Sequence, residues 1–325
     1  MKCGANIRLL DCTIRDGGLM NNHLFGDDIV KAVYSACIEA GIDYMEIGYI
    51  NSRRIFSPDE HGAWKYCRED DIRRIVGENE TPLKLSAMAD AEKSDYREDI
   101  LPRDQSVLDM IRVAAYIHQI PLALDMIKDA HDKGYETTIN LMAVSIVDDR
   151  ELDEALELLA RSEVGTIYVV DSFGALSSEQ TQFLLKKYLS YAEPSGKQVG
   201  MHAHNNQQLA FANTIEAIKL KANMLDASIA GLGRGAGNCA MELLVGFLHN
   251  PQFHLRPILH CIQQCIEPLQ EELKWGFGVP YMLTGLLNQH PYAAIQFNDG
   301  DDRGDIVKFF DAINEEEHLA TKYLA

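Results

Sequence analysis

The chain has 325 residues, with 30 Lys plus Arg against 49 Asp plus Glu and a formal net charge of −19 at pH 7. A surface this acidic repels phosphate backbones and anionic membranes, which argues against a nucleic-acid or membrane partner and leaves cations as tolerated ligands. Hydrophobic residues at 46% and charged residues at 24% exclude a disordered or fibrous chain, and the length suits either two medium domains or one barrel with an appendage.

Short apolar, β-branched runs alternate with amphipathic stretches. In chain order the predicted strands are Ile7 to Asp11, Asp43 to Ile47, Leu83 to Met88, Asp109 to Ala115, Thr137 to Val144, Thr166 to Ser172, Val199 to Asn205 and Met224 to Gly231. Their starts recur at roughly 25 to 40 residues, the span of one βα unit. Between them, Asp27 and Asp28 open a helix with Ile29, Val33, Cys37 and Ala40 on its apolar side, closed by Gly41. Further helices are expected over Leu122 to Lys133, Leu152 to Ala160, from a Ser177 or Ser178 cap to Ala192, and over Leu209 to Leu220. Eight such units without a reversal predict an α/β fold, a (β/α)8 TIM barrel, over an open doubly wound sheet.

After Asn250 the alternation stops. Helical patterns cover Ile258 to Leu273 and Val307 to Ala325, with a Gly-, Pro- and aromatic-rich segment at Trp275 to Pro291 and an acidic loop expected at Asn298 to Gly304. The expected organisation is a catalytic barrel over residues 1–250 and a C-terminal helical extension over 251–325. Seven cysteines without a C-x-x-C pair read as reduced thiols, Cys261 and Cys265 sharing one helix face. No secretory signal opens the chain, and no uncharged apolar run approaches the roughly 18 residues of a membrane helix, so a cytoplasmic location is expected.

Barrel active sites lie at the C-terminal strand ends, which makes the polar residues there candidates. Strand one exits into Asp11-Cys12-Thr13-Ile14-Arg15-Asp16-Gly17-Gly18, strand two holds Glu46, strand four Arg112, strand five Asn140, and strand six ends Asp171-Ser172. Arg112, Ser172 and Asn140 are expected to bind substrate. His202 and His204 are two apart on strand seven, so both rings leave the same face and can hold one ion together with Asp16. Two imidazoles and one carboxylate leave coordination positions open for a chelating substrate. Arg15 beside Asp16 suits stabilisation of enolate charge, and Glu46, costly to bury alone in an apolar strand, is its expected partner. The stretch Gly231 to Gly237 lacks the Lys-Ser/Thr of a phosphate loop and reads as a tight turn that brings Asn238 to the metal rim.

DCTIRDGG at Asp11 to Gly18, Glu46, HAHNN at His202 to Asn206 and GLGRGAGN at Gly231 to Asn238 together resemble the DRE-TIM metallolyases, the HMGL-like superfamily that includes 4-hydroxy-2-oxovalerate aldolase, hydroxymethylglutaryl-CoA lyase and isopropylmalate synthase. The resemblance runs from Ile7 to about Leu248. It implies Asp16, His202 and His204 as ligands of a divalent metal, Mn²⁺ or Mg²⁺ ahead of Zn²⁺ or Co²⁺, with Asn238 as a further ligand. It also implies Arg15 facing an enolate, Glu46 orienting Arg15, and reversible C–C bond cleavage of a 2-oxo acid through a metal-bound enolate. Pyruvate aldolases of the family carry a catalytic His three residues beyond the metal Asp, where this chain has Leu19. His23 or Tyr49 would then move the proton, and Tyr281 is the nearest match to the aldolases' C-terminal active-site Tyr, with His290 as a second candidate. The reading is an aldolase of the 4-hydroxy-2-oxovalerate type. The alternatives are an acyl-CoA-using lyase or condensing synthase and an inactive partner-binding barrel. A homodimer is expected, with a dehydrogenase as a further partner.

Overall fold

The computed structural model describes residues 6–300 and 303–323. Eight parallel strands close into a barrel in chain order: β1 (Arg8–Asp11), β2 (Tyr44–Tyr49), β3 (Lys84–Asp90), β4 (Met110–Ala115), β5 (Glu136–Leu141), β6 (Thr166–Asp171), β7 (Gln198–Ala203) and β8 (Met224–Ala227). β8 pairs back onto β1, with Leu9 opposite Leu225 and Asp11 opposite Ala227, which excludes the open doubly wound sheet. Such strands are covered on both faces and therefore read as nearly continuous apolar runs. In β2, β4 and β6 every residue is buried.

The helices in order are α1 (Thr13–Gly17), α2 (Asp27–Ala40), α3 (Glu69–Val76), α4 (Tyr96–Asp99), α5 (Ile120–Asp132), α6 (Asp149–Ala160), α7 (Ser178–Ala192), α8 (Ala210–Lys219), α9 (Met241–Leu248), α10 (Leu255–Cys261), α11 (Glu267–Leu273), α12 (Val279–Leu286), α13 (Tyr292–Asp299) and α14 (Ile306–Tyr323). In α2, Asp27 and Asp28 in the first turn complement the helix dipole, and Gly41 at φ 70° closes the helix in the left-handed conformation. In α7 the Ser177 hydroxyl accepts from the Gln180 N–H, and the Gln180 side chain accepts from the Ser177 N–H, a reciprocal cap. The Asp148 carboxylate accepts from the Arg150 N–H and starts α6 ahead of the expected Leu152.

β5 and β8 stop short of the expected Val144 and Gly231. Tight 3₁₀ turns over Val144–Ile146 and Ile229–Gly231 take over there, entered through or containing left-handed Ala143 and Ala230. The main core lies between strands and helices, while Leu10, Tyr44, Met110, Tyr168 and Met224 fill the barrel's interior.

The stretch expected as one helix from Ile258 begins at Leu255 and runs through a π-helical turn, Ile262–Ile266, into α11. α10 packs on α2, and Cys261 is buried while Cys265 is half-buried. The Gly- and Pro-rich segment contains α12. It lies over the barrel mouth, where Trp275 Nε1 donates to the Ala230 carbonyl at 3.1 Å and Asn206 Nδ2 donates to the Tyr281 carbonyl at 3.1 Å. Of the expected acidic loop, Asn298 and Asp299 end α13. Asp301 and Asp302, like Cys3 and the end of the final helix at Ala325, lie outside the described residues. Among the described residues no helix is long and apolar enough to cross a membrane.

Candidate active site

The inward-facing residues of the barrel change character with height. Above the apolar layer lies a fully buried ionic one. Arg112 donates to Glu46 Oε2 at 3.0 Å, to Asp226 Oδ2 at 2.6 Å and to Asn140 Oδ1 at 3.2 Å, with its guanidinium 4.4 Å from the Tyr168 ring centroid. Burial works against the Arg112 charge, but Asp226 and Glu46 hold its pKa above the ordinary range. A buried charge survives only when paired and hydrogen-bonded, and these three charged groups pair with one another, although Arg112 Nε, Glu46 Oε1 and Asp226 Oδ1 stay without a hydrogen bond among the described residues.

The next layer up forms the floor of a cavity of ≈ 220 Å³ at the C-terminal mouth. Arg15, on α1, donates from Nε to Glu46 Oε2 at 2.7 Å and from Nη1 to Asp16 Oδ2 at 2.9 Å. Its Nη2 is buried with no partner among the described residues. Asp16, His202 and His204 are all buried, and one ligand atom from each lies within 4.8 Å of the others. Asp16 Oδ2 is 3.3 Å from His202 Nε2 and 3.8 Å from His204 Nε2. Burial would raise the Asp16 pKa, but the Arg15 guanidinium holds it well below the usual carboxylate range. Burial keeps His204 neutral.

His202 Nδ1 lies 2.9 Å from Asp226 Oδ2, placed to donate its N–H to that carboxylate, and Nε2 faces Asp16; burial would lower the pKa of the ring, but Asp16 and Asp226 raise it. His202 Nε2 is an orphaned buried atom, and so is Asn238 Oδ1, whose amide Nδ2 points to Cys12 Sγ. This donor set fits a divalent cation: one anionic oxygen and two imidazoles, with His202 Nε2 lacking a hydrogen bond, and Asn238, bridged to His204 through the backbone, adds a buried amide oxygen beside the cluster.

Of the residues singled out from the sequence, Arg15, Asp16, Asn140, Ser172, His202 and His204 line the cavity, as do Leu19, Tyr49 and His290. Glu46 and Arg112 lie beneath it, and Asn238 is buried behind the metal cluster against Gly233. Two expected catalytic residues are set apart from it. Tyr281 packs with Ala236, Leu283, Ala294 and Phe309. His23 is buried behind Tyr49, 5.2 Å between ring centroids, with neither ring nitrogen bonded among the described residues. Ser172 accepts the Ala143 N–H at its hydroxyl and an Arg234 Nη2 proton at its carbonyl. Arg234 also donates its backbone N–H to Asp16 Oδ1 at 2.9 Å and lies 3.2 Å from His290 Nε2.

Asp226, Lys65, Asp90 and Lys93 complete the picture and were absent from the sequence reading. Asp226 carries the same signal as Glu46, an acid alone in an apolar strand; the other three carry no spacing that distinguishes them. Leu19 and Met142 join Tyr49, Met88 and Ala114 as the cavity's apolar wall.

A family model described as HMGL-like matches residues 112–265. An oxaloacetate decarboxylase of Mycobacterium tuberculosis is 31% identical over 244 residues, covering 74% of this chain and 69% of that protein. A 4-hydroxy-2-oxovalerate aldolase of Rhodococcus jostii is 26% identical over 246 residues, covering 76% and 71%. The crystal structure of the N-terminal domain of a candidate aldolase from Bacteroides vulgatus superposes with a TM-score of 0.77 at 29% identity, over 93% of this chain and 100% of that one.

Proposed function

The chain belongs to the HMGL-like family of DRE-TIM metallolyases, which are carbon–carbon lyases, and from that premise we propose that it is a divalent-metal-dependent aldolase acting on a 4-hydroxy-2-oxo acid. The observation that carries this reading is the buried cluster of Asp16, His202 and His204 with the free Nη2 of Arg15 beside it. Asp16, His202 and His204 would hold Mn²⁺ or Mg²⁺, with Asn238 as a further or water-linked ligand. Bound there, the ion supplies Lewis acidity to the carbonyl and carboxylate oxygens of the 2-oxo acid.

The chain's own residues do the rest. Glu46 fixes Arg15 through Nε, so that Nη2 is a preorganised donor to the oxygen that becomes the enolate oxygen when the C–C bond breaks. The wall of Leu19, Tyr49, Met88, Ala114 and Met142 keeps water from that carbon. His290 lines the cavity at its exposed rim, and partial desolvation with Arg234 nearby lowers its pKa to about 4, so its ring is neutral at pH 7; once substrate displaces Arg234 or the Tyr292 N–H from its ring nitrogens, it would accept the 4-hydroxyl proton. The division at residue 250 into barrel and extension belongs to the same proposal, as does pairing of the extension with a second copy or a dehydrogenase.

Leu19 favours a second reading, decarboxylation of a 2-oxo diacid. Loss of CO₂ yields the same enolate without removing a hydroxyl proton, and a leucine at this position costs that reaction nothing. The test is pyruvate release from 4-hydroxy-2-oxopentanoate and from oxaloacetate, with Mn²⁺ binding followed by calorimetry. Asp16→Asn and His202→Ala should lose metal and turnover together, and full turnover in either overturns the site. His290→Ala should abolish the aldol cleavage and spare any decarboxylation.

A further inference from the structure

The cavity is charged against the sign of the chain. Its wall sets Arg15, Lys65, Lys93 and Arg234 against only Asp16 and Asp90 in a molecule of net charge −19. Arg15 and Arg234 are engaged at the metal end, with Glu46, Asp16 and the Ser172 carbonyl. Lys65 and Lys93 are elsewhere. Lys65 follows β2, Asp90 ends β3 and Lys93 comes directly after it, so the strand order places Asp90 and Lys93 across the barrel mouth from β7 and β8.

Lys65 is 6% exposed. Its ammonium sits 4.0 Å from the Phe56 ring centroid and 4.9 Å from that of Tyr49, and among the described residues no carboxylate lies within ion-pair distance of it. Aromatic faces offset part of the desolvation of a buried cation, but they do not replace an anion. Burial lowers its pKa to about 8, which leaves the amine mostly protonated at neutral pH. Asp90 is the anion nearest both lysines: burial raises its pKa, while Lys93 and Lys65 favour its charge ahead of a long contact from Asn51 Nδ2 at 3.5 Å. The far side of the cavity therefore carries two cations, the buried Lys65 and the exposed Lys93, against the single carboxylate of Asp90, an excess of one positive charge joined to the metal end by an apolar wall.

We propose that Lys65, assisted by Lys93, binds a second anionic group of the substrate, a carboxylate or phosphate borne at the end remote from the 2-oxo acid. This rests on the 2-oxo acid lyase reading and names its substrate class: acceptors that are themselves anions.

The test uses the full chain loaded with Mn²⁺. Pyruvate is condensed with acetaldehyde and propanal, with glyoxylate and succinic semialdehyde, and with glyceraldehyde 3-phosphate. At least one anionic acceptor should exceed the neutral ones in kcat/KM by about tenfold to a hundredfold, the range of a charged hydrogen bond, and the carboxylate and phosphate arms identify the group. Lys65→Met should erase that preference through KM of the anionic acceptor, and Lys65→Arg should restore much of it. Equal losses for neutral and anionic acceptors in Lys65→Met would overturn the proposal. Calorimetry separates this from failure of the lyase reading: 2-oxoglutarate should bind the wild type more tightly than 2-oxobutanoate, and equally in Lys65→Met. That difference without any turnover supports the anion subsite and removes the lyase reading; equal binding to the wild type removes the subsite whatever the turnover.

Discussion

Asp226 joins two buried systems, accepting from Arg112 below and from His202 above. Its carboxylate is held below the usual range despite burial, chiefly by Arg112, so it remains an anion able to fix which imidazole nitrogen carries the proton. Asp226→Asn should weaken Mn²⁺ binding by about 10- to 100-fold while leaving every first ligand in place, as calorimetry would show. Asp11 makes a different prediction. Burial raises its pKa from 3.8 to about 7, against hydrogen bonds from the Thr13 N–H and hydroxyl. The folded chain keeps a proton that the unfolded chain has released, so this residue's contribution to stability is full below about pH 4 and falls as pH rises toward 7, by up to about 1.4 kcal/mol per unit. Asp11→Asn should flatten that slope in denaturant titrations. At this scale the sequence was legible where chemistry repeats a pattern. The His-x-His pair and the lone acid of β2 are readable; Lys65, between Trp64 and Tyr66, has meaning only once β2 and β3 are neighbours.

The strands were readable because a barrel strand is apolar on both faces, and their ends were not because the turns that cap β5 and β8 use Ala143 and Ala230 in a conformation associated with glycine. The loop from Gly231 to Asn238 shows the same physics with consequences. Gly237 has φ 80°, and a Cβ there would lie 2.2 Å from the Gly231 carbonyl oxygen. Gly237→Ala should cost at least about 1–2 kcal/mol from the left-handed backbone alone. Because the loop must also shift, Asn238 should be displaced. Thermal melts should show the loss of stability, and Mn²⁺ titration should show weaker binding than in the wild type. The C-terminal helices were visible as periodic patterns, but their seat over the mouth was not. That seat is made by Trp275 and Asn206 donating to main-chain carbonyls, contacts that any sequence can offer.

At the scale of the whole molecule, eight βα units and four motifs at successive strand ends made the barrel and the family legible together. What charge composition implied at first was only an exclusion, of nucleic acid and anionic membrane. The interior reverses that sign, with Lys65, Lys93, Arg15 and Arg234 around the cavity of a −19 chain. Electrostatic fields of exposed charges decay over about 8 Å at physiological ionic strength, so an anion far from the mouth meets the acidic exterior before it meets these cations. Arrival and retention are then governed by opposite fields. Added salt should speed the association of a dianionic 2-oxo acid by screening the exterior, the reverse of ordinary electrostatic steering, and should leave its departure from the sheltered floor less affected. Stopped-flow association rates measured across ionic strength would show this as a rising kon, making passage across the rim, not capture at the metal, the slow step in dilute buffer.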